Sequence, residues 1–418
     1  MAESCDLLVR ADFVLTQDDE RTVLPGAALA VRDGLVAALG PAERLEESFA
    51  PARRIDLGAA LVMPGLVNAC TNAGMTVFRG LPGNDAKNPA TSILHDPRAA
   101  TIAARIACAE MIRTGTTCFA DVFAPAEVVL VAADESGLRC VAGGLLDPDA
   151  NGDMEGAMEH PRLRRLVTAP DMAMAAPGEL EAAFALSREC GCLFVVRTAV
   201  SARATTAFAA RHGVRPLEFL RRQGMLAANT LLTHCADILP EEIEILAASG
   251  AAVVHCPRAD ARRAVGFAPV RSMLEAGARL ALGTGSPRDA GDLNMFGEMN
   301  AAALMHKAHL HDPMAVRADM ALDMATRGGA DALGWPGLGR LAPGSPADFM
   351  ALDLTRPGLM PLLNPVSQAV YAATGHENVL TVCAGRVLFE RGRFTTIDHA
   401  ALAAEAAELA ALARSHAG

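Results

Sequence analysis

Several short apolar runs in this chain end in residues that can do chemistry. "LLTHC" closes on His234 and Cys235, "AVVHC" on His255 and Cys256, and "LVNACTN" on Cys70 and Asn72. Imidazole and thiol serve soft-metal coordination, proton transfer and nucleophilic attack. Arg197 and Val200 lie at the end of "CLFVVRTAV", Gly285 and Ser286 at the end of "RLALGTGS", and Asp121, Asp147 and Asp171 at the ends of three further runs. Spacing limits what these groups can do together. Neighbours on a strand point to opposite faces, so His234 and Cys235 cannot both face one pocket, nor can His255 and Cys256. Cys70 has no base partner nearby in sequence and reads as a small buried filler. Asp171 and Arg197 fall at the ends of consecutive runs, so an ion pair between them is expected. "HKAHLHDP" carries His306, His309 and His311, but at i, i+3, i+5 they give at most one helical pair, and a surface loop is expected.

The elements that must position these residues alternate. Apolar runs at 60–70, 115–122, 139–146, 164–170, 192–200, 229–236, 251–258 and 279–286 read as eight strands, with helical patterns between them. "PRAATIAARIACAEMIRTG" places Ile102, Ile106, Ala109 and Ile112 on one face and stops at Gly115. "PEEIEILAASG" opens with proline and acids, which read as a helix start with a solvated face, and stops at Gly250. Met172 and Met174 read as packing residues. Eight apolar strand–helix units predict an α/β fold, a (β/α)8 TIM-like barrel with active groups at the C-terminal strand ends. A doubly wound open sheet is the competitor, but no glycine-rich phosphate turn follows an early strand. β-like material with Asp33-Gly34, Ala384-Gly385 and Arg391-Gly392 turns brackets the middle. The expected division is therefore a composite β domain from 1–58 and 340–398, a barrel over 59–339 and a C-terminal helix over 399–418.

A net charge of -11 argues against nucleic acid or an anionic membrane face as partner, and 4% aromatic residues leave few rings for base stacking. The ten scattered cysteines contain no C-x-x-C pair, so reduced thiols are expected. The start "MAESCDLLVRADF" lacks a signal-peptide pattern, and no apolar run reaches the roughly 18 residues of a membrane span, so a cytoplasmic location is expected.

The ordered segments "VMPGLVNACTNAGMTVFRGL", "CAEMIRTGTTCFADV", "LLTHCADILPEEIEILAASGAAVVHCPRAD", "APVRSMLEAGARLALGTG", "LNMFGEMNAAALMHK" and "GRLAPGSPADFMALDLTRPGLMPLLNPVSQAVYAATGH" resemble the amidohydrolase superfamily. Within it they are most similar to deaminases of 5-methylthioadenosine and S-adenosylhomocysteine, near the chlorohydrolase-type branch. The resemblance implies a metal-dependent barrel with a composite β domain. It also implies a His-x-His metal motif where this chain has Cys70-Thr71-Asn72, and a metal histidine at Arg197. It implies a proton-handling glutamate at Val200, a metal aspartate at Gly285 and a substrate-contacting histidine at Asp171. His234 and His255 match the pattern. The segment after Leu81 is shorter than the family's.

The expectation is a catalytically silent relative of these deaminases, with no cofactor, no intact catalytic residue and no metal, and with His234 and His255 as remnants. Such a chain would have a binding or subunit role, as a homo-oligomer or with an active paralogue. A small nucleoside-like ligand would fit, since the loops around Arg79 and Asn294–Glu298 look intact. The alternative is an active hydrolase with a rebuilt or metal-independent centre, built from Cys70, His234 and His255 and holding zinc in one version.

Overall fold

A computed structural model describes residues 2–80, 93, 96–123, 125–144 and 160–417. Asp147 and the segment that follows Leu81 lie outside the described residues. Five strands lead: β1 (Glu3–Leu15), β2 (Val23–Arg32), β3 (Leu35–Pro41), β4 (Phe49–Asp56) and β5 (Ala60–Pro64). The middle carries β6 (Leu66–Thr71), β7 (Thr116–Asp121), β8 (Arg139–Ala142), β9 (Leu163–Thr168), β10 (Leu193–Thr198), β11 (Thr230–His234), β12 (Ala252–His255) and β13 (Arg279–Leu282). Four close the chain: β14 (Phe349–Asp353), β15 (Asn378–Cys383), β16 (Arg386–Glu390) and β17 (Arg393–Phe394).

Strands β6 to β13 pair in parallel, in chain order. The ring closes where the Gly285 N–H donates to the Cys70 carbonyl at 2.9 Å, beside a bridge between Thr71 and Gly285. This is the expected (β/α)8 barrel. Alternation explains why its strands read as continuous apolar runs. Val67, Val141, Val195, Leu231, Ala252, Val254 and Ala281 fill the interior, while Phe194, Val196, Leu232, Val253 and Leu282 pack outward on the helices.

The other strands form one mixed sheet, ordered β17-β16-β15-β14-β5-β1-β2-β3, with β4 parallel to β1. Both ends of the chain contribute to it, as the turn signals predicted. At Asp33-Gly34 φ is 53° and 74°, and at Ala384-Gly385 it is 49° and 75°, the left-handed pair a tight hairpin needs.

One difference from the sequence reading concerns 60–70. It reads as a single strand but makes two, β5 in the mixed sheet and β6 in the barrel, joined at Gly65. A Cβ at Gly65 would lie 2.2 Å from Thr117 Oγ1, so only glycine lets the chain pass β7 this closely. The acids of "PEEIE" open a helix, and Glu241 and Glu244 face solvent as expected; Glu242 is the second correction. Glu242 is buried rather than solvated, because it accepts the Leu239 N–H at the helix start and pairs with Arg215 at 3.0 Å. Met174 is a third: it is 82% exposed, whereas Met172 packs in the core. The helix His399–Ala417 lies on Pro97–Arg113, burying Leu402 and Leu409 and pairing Glu405 with Arg105. Among the described residues, no helix is long and apolar enough to cross a membrane.

Candidate functional site at the C-terminal strand ends

Strand β10 aims Arg197 into the barrel mouth. Val195, two residues earlier, belongs to the interior layer, and the period of two puts Arg197 on the same face. Arg197 Nη1 stands 3.8 Å from Asp171 Oδ2, so the expected ion pair forms, though beyond hydrogen-bond length. Asp171 Oδ1 already accepts the Ala173 N–H at 2.9 Å. Burial pulls the Arg197 pKa below the guanidinium norm, the neighbouring Arg263 pulls it down further, and Asp171 opposes both. Val200 follows the strand, 7% exposed, just before the Ser201 cap of the next helix.

Cys70 and Gly285 meet where the barrel closes. A Cβ on Gly283 would strike the Cys70 backbone at 2.7 Å, and one on Gly285 would sit 3.5 Å from Ala259 Cβ and 3.8 Å from Cys256 Sγ. Gly285 has φ of +63°, so a side chain there would also strain the backbone. Cys256 is therefore the inward member of the His255-Cys256 pair, packed in the barrel layer with Cys70. The Cys70 side chain hydrogen-bonds Cys256 and, together with burial, pushes its thiol well above the ordinary range. All ten cysteines are unpaired. Asn72 caps a short 3-10 turn with its backbone, and its buried Oδ1 has no hydrogen-bond partner among the described residues.

The two histidines meet in a buried cluster centred on a residue the sequence reading passed over, Asp260. His234 and Cys235 both have positive φ, 73° and 52°, a strained conformation costing on the order of 1–3 kcal/mol per residue. That kink ends β11 and sends His234 Nδ1 to Asp260 Oδ1 at 2.6 Å. Cys235 packs outward, in the layer between barrel and helices. His255 Nδ1 lies 3.8 Å from Asp260 Oδ2, and its Nε2 lies 3.1 Å from His306 Nε2.

His306 corrects a further expectation. It belongs to the helix Met295–Leu310 and is 2% exposed, not part of a surface loop. The helix pattern of "LNMFGEMNAAALMHK" was the signal that could have found it. Burial, then His306, lowers the His255 pKa to about 3, and burial, then His309, lowers that of His306 to about 4. Both rings are neutral at physiological pH. Glu298 is fully buried in the same region and accepts the Arg258 N–H at 3.2 Å; desolvation pushes its carboxyl well up. Arg79 pairs with Glu110, while Asn294 caps its helix and donates to the Thr374 carbonyl at 2.7 Å.

A parallel eight-stranded barrel with a mixed sheet from both chain ends, and with its chemistry-bearing residues gathered at one rim, defines a (β/α)8-barrel protein with a composite β domain. The amidohydrolase family pattern matches residues 61–388, and the chain belongs to that family. It is 42% identical over 427 residues to a protein of Nitratidesulfovibrio vulgaris Miyazaki F named 5-methylthioadenosine/S-adenosylhomocysteine deaminase, covering 97% of each chain. A protein of the same name from Desulfovibrio desulfuricans is 38% identical, covering 99% of each. Among solved structures, an adenosine deaminase from Xanthomonas campestris with bound zinc superposes with a TM-score of 0.95 at 28% identity, over 99% of this chain and 100% of that one. The chain is thus an amidohydrolase related to the 5-methylthioadenosine/S-adenosylhomocysteine deaminases.

Proposed function

We propose that this chain keeps the nucleoside-type pocket of its deaminase relatives but does not carry out metal-assisted deamination, and that it acts as a binding protein or subunit. The observation that carries this reading is the Arg197 guanidinium on the interior face at the end of β10. Catalytic zinc needs about three protein donors and an open position for water. A guanidinium ~4 Å from a divalent ion would oppose it by roughly 8 kcal/mol at an effective dielectric of 20. That is comparable with the roughly 10–16 kcal/mol apparent binding energy of a good structural zinc site.

The other donors fit a catalytic ion poorly. Gly285 offers no side chain, and its surroundings are closed by Ala259 and Cys256. His255 is turned toward His306; His234, its Nδ1 oriented by Asp260, keeps Nε2 for a ligand, but that is one imidazole against the roughly three donors a catalytic zinc needs. The Cys256 thiol is held protonated. Val200 supplies no group that could move a proton. The residues present do not fit the family's metal. Purified protein mixed with 5-methylthioadenosine or S-adenosylhomocysteine should release no ammonia, while either nucleoside raises its melting temperature.

A second reading, an active hydrolase or deaminase of such substrates with a rebuilt or metal-independent centre, is favoured by two observations. Full-length identity to proteins named as deaminases reaches 42%. His234 also forms a short, buried pair with Asp260 on a strained backbone, an arrangement that would orient an imidazole to accept a proton. Ammonia release that survives chelation and is lost in Asp260→Ala would establish this reading over the first.

A further inference from the structure

Away from the barrel mouth, two clefts meet beside the helix Pro97–Arg113. The larger, about 720 Å³, lies between that helix, the β16–β17 hairpin and the helix His399–Ala417. Its walls are mostly apolar. Ile106 comes from the first helix, Phe389, Phe394 and Ile397 from the hairpin and the chain after it, and Ala403 and Ala406 from the last helix. The smaller cleft, about 370 Å³, shares Arg113 and Gly392 with the larger. The Arg391-Gly392 turn, with φ of 45° and 88°, carries the rim between them. Arg113, Arg356, Arg391 and His376 line the smaller cleft, with Asp353 the one carboxylate among its described lining residues. In a chain of net charge -11, three guanidiniums against one carboxylate is a local reversal of sign.

The protein itself holds these guanidiniums in place. Arg113 donates to the Asn378 carbonyl at 3.3 Å and to the His376 carbonyl at 3.2 Å, and its Cζ stands 5.0 Å above the centre of the Phe389 ring. Arg113 therefore belongs to both clefts. Arg391 Nη2 donates to the Asp56 carbonyl at 2.9 Å, and Arg356 Nε lies 2.8 Å from Asp353 Oδ2. A guanidinium carries five N–H donors, so these contacts leave donors on each side chain for a ligand. Two neighbouring acids are held by backbone amides: Asp56 accepts the Gly58 N–H at 3.0 Å, and Glu377 accepts the Thr374 N–H at 3.0 Å. Arginine's planar fork suits carboxylate and phosphate oxygens.

We propose that the joined clefts bind a small amphipathic anion, its apolar body lying between the helices Pro97–Arg113 and His399–Ala417 and its carboxylate or phosphate head among Arg113, Arg356 and Arg391. A mostly apolar hollow of this size with a few convergent polar groups is the usual form of a small-molecule site. Inorganic phosphate alone would leave the apolar cleft unfilled, and an alcohol of equal chain length would leave the guanidiniums without an anion. The site is independent of what the barrel mouth does. Arg113 ends its helix just before β7 begins at Thr116, at the strand end opposite the rim that carries Arg197 and His234.

Calorimetric titration of the full chain at pH 8 with octanoate, octyl phosphate, 1-octanol and inorganic phosphate tests the site. At least one of the two amphipathic anions should bind tenfold or more tighter than 1-octanol and than inorganic phosphate. Arg356 and Arg391 are exposed, so the double variant Arg356→Gln/Arg391→Gln should fold, and in it the preference over 1-octanol should fall below threefold. Ala403→Trp, which fills the cleft from an exposed position on the last helix, should weaken the amphipathic anion tenfold or more. Circular dichroism confirms folding, and if one variant fails to fold the other decides. Binding of 1-octanol or inorganic phosphate as tight as that of the anions overturns the proposal. So does failure of wild type to bind either anion, or binding and preference unchanged in a folded variant. Sedimentation with phosphatidylglycerol vesicles, without binding of soluble octanoate or octyl phosphate, would also overturn it, in favour of a membrane surface.

Discussion

Acidification should unfold this protein through two histidines that sit neutral in the buried cluster. His255 is fully buried and His306 is 2% exposed, with pKa values lowered to about 3 and about 4 from an ordinary 6.5. A group whose folded pKa is depressed binds its proton more readily in the unfolded chain. Its contribution is therefore complete above pH 6.5 and is lost as pH falls through the window between 6.5 and the folded value. From pH 7.5 to 5.0, linkage gives a loss of about 2 kcal/mol for each histidine, or about 4 kcal/mol together.

Glu298 acts in the opposite direction. Its raised carboxyl pKa favours the folded state while it stays protonated, and that benefit fades as pH rises through its folded pKa. Because Glu298 is common to both proteins, the measurement is a difference between wild type and His306→Gln. Urea unfolding at pH 7.5 and 5.0 should show the variant losing about 2 kcal/mol less on acidification than wild type. Equal losses in the two proteins would refute the assignment of neutral, buried imidazoles.

Two packing predictions follow from the strand joints. Gly65→Ala should destabilise by about 1–3 kcal/mol in urea titration, since its Cβ would lie 2.2 Å from Thr117 Oγ1, and Thr117→Ala in the same chain should recover part of that loss. Asp348→Asn should cost about 3–5 kcal/mol by the same assay, because the carboxylate receives Arg139 at 3.0 Å through both Nε and Nη2 and its loss leaves a buried guanidinium unpaired.

The barrel was legible because its strands are buried on both faces and therefore read as unbroken apolar runs, each followed by a helical period. The hairpins were legible because only a few residue pairs accept two positive φ values. The division of 60–70 was not, since β5 and β6 are equally apolar and Gly65 marks a change of sheet only once Thr117 is seen beside it. Strand alternation correctly separated His234 from Cys235 and His255 from Cys256. It could not reveal that the kink at His234 hands that ring to Asp260, five residues beyond His255 on the next helix. His306 was misread because a histidine-rich composition outweighed the 3.6-residue pattern preceding it. The Asp171–Arg197 approach was visible because both residues fall at the ends of adjacent strands.

Metal content measured together with turnover decides whether this barrel still supports metal-assisted deamination. Protein purified without chelator and dialysed against metal-free buffer, then analysed by plasma mass spectrometry, should hold well under one zinc, iron or manganese per chain. It should release no ammonia from 5-methylthioadenosine, with or without added zinc. One tightly held ion per chain, with deamination lost on chelation and restored on reloading, would contradict the account.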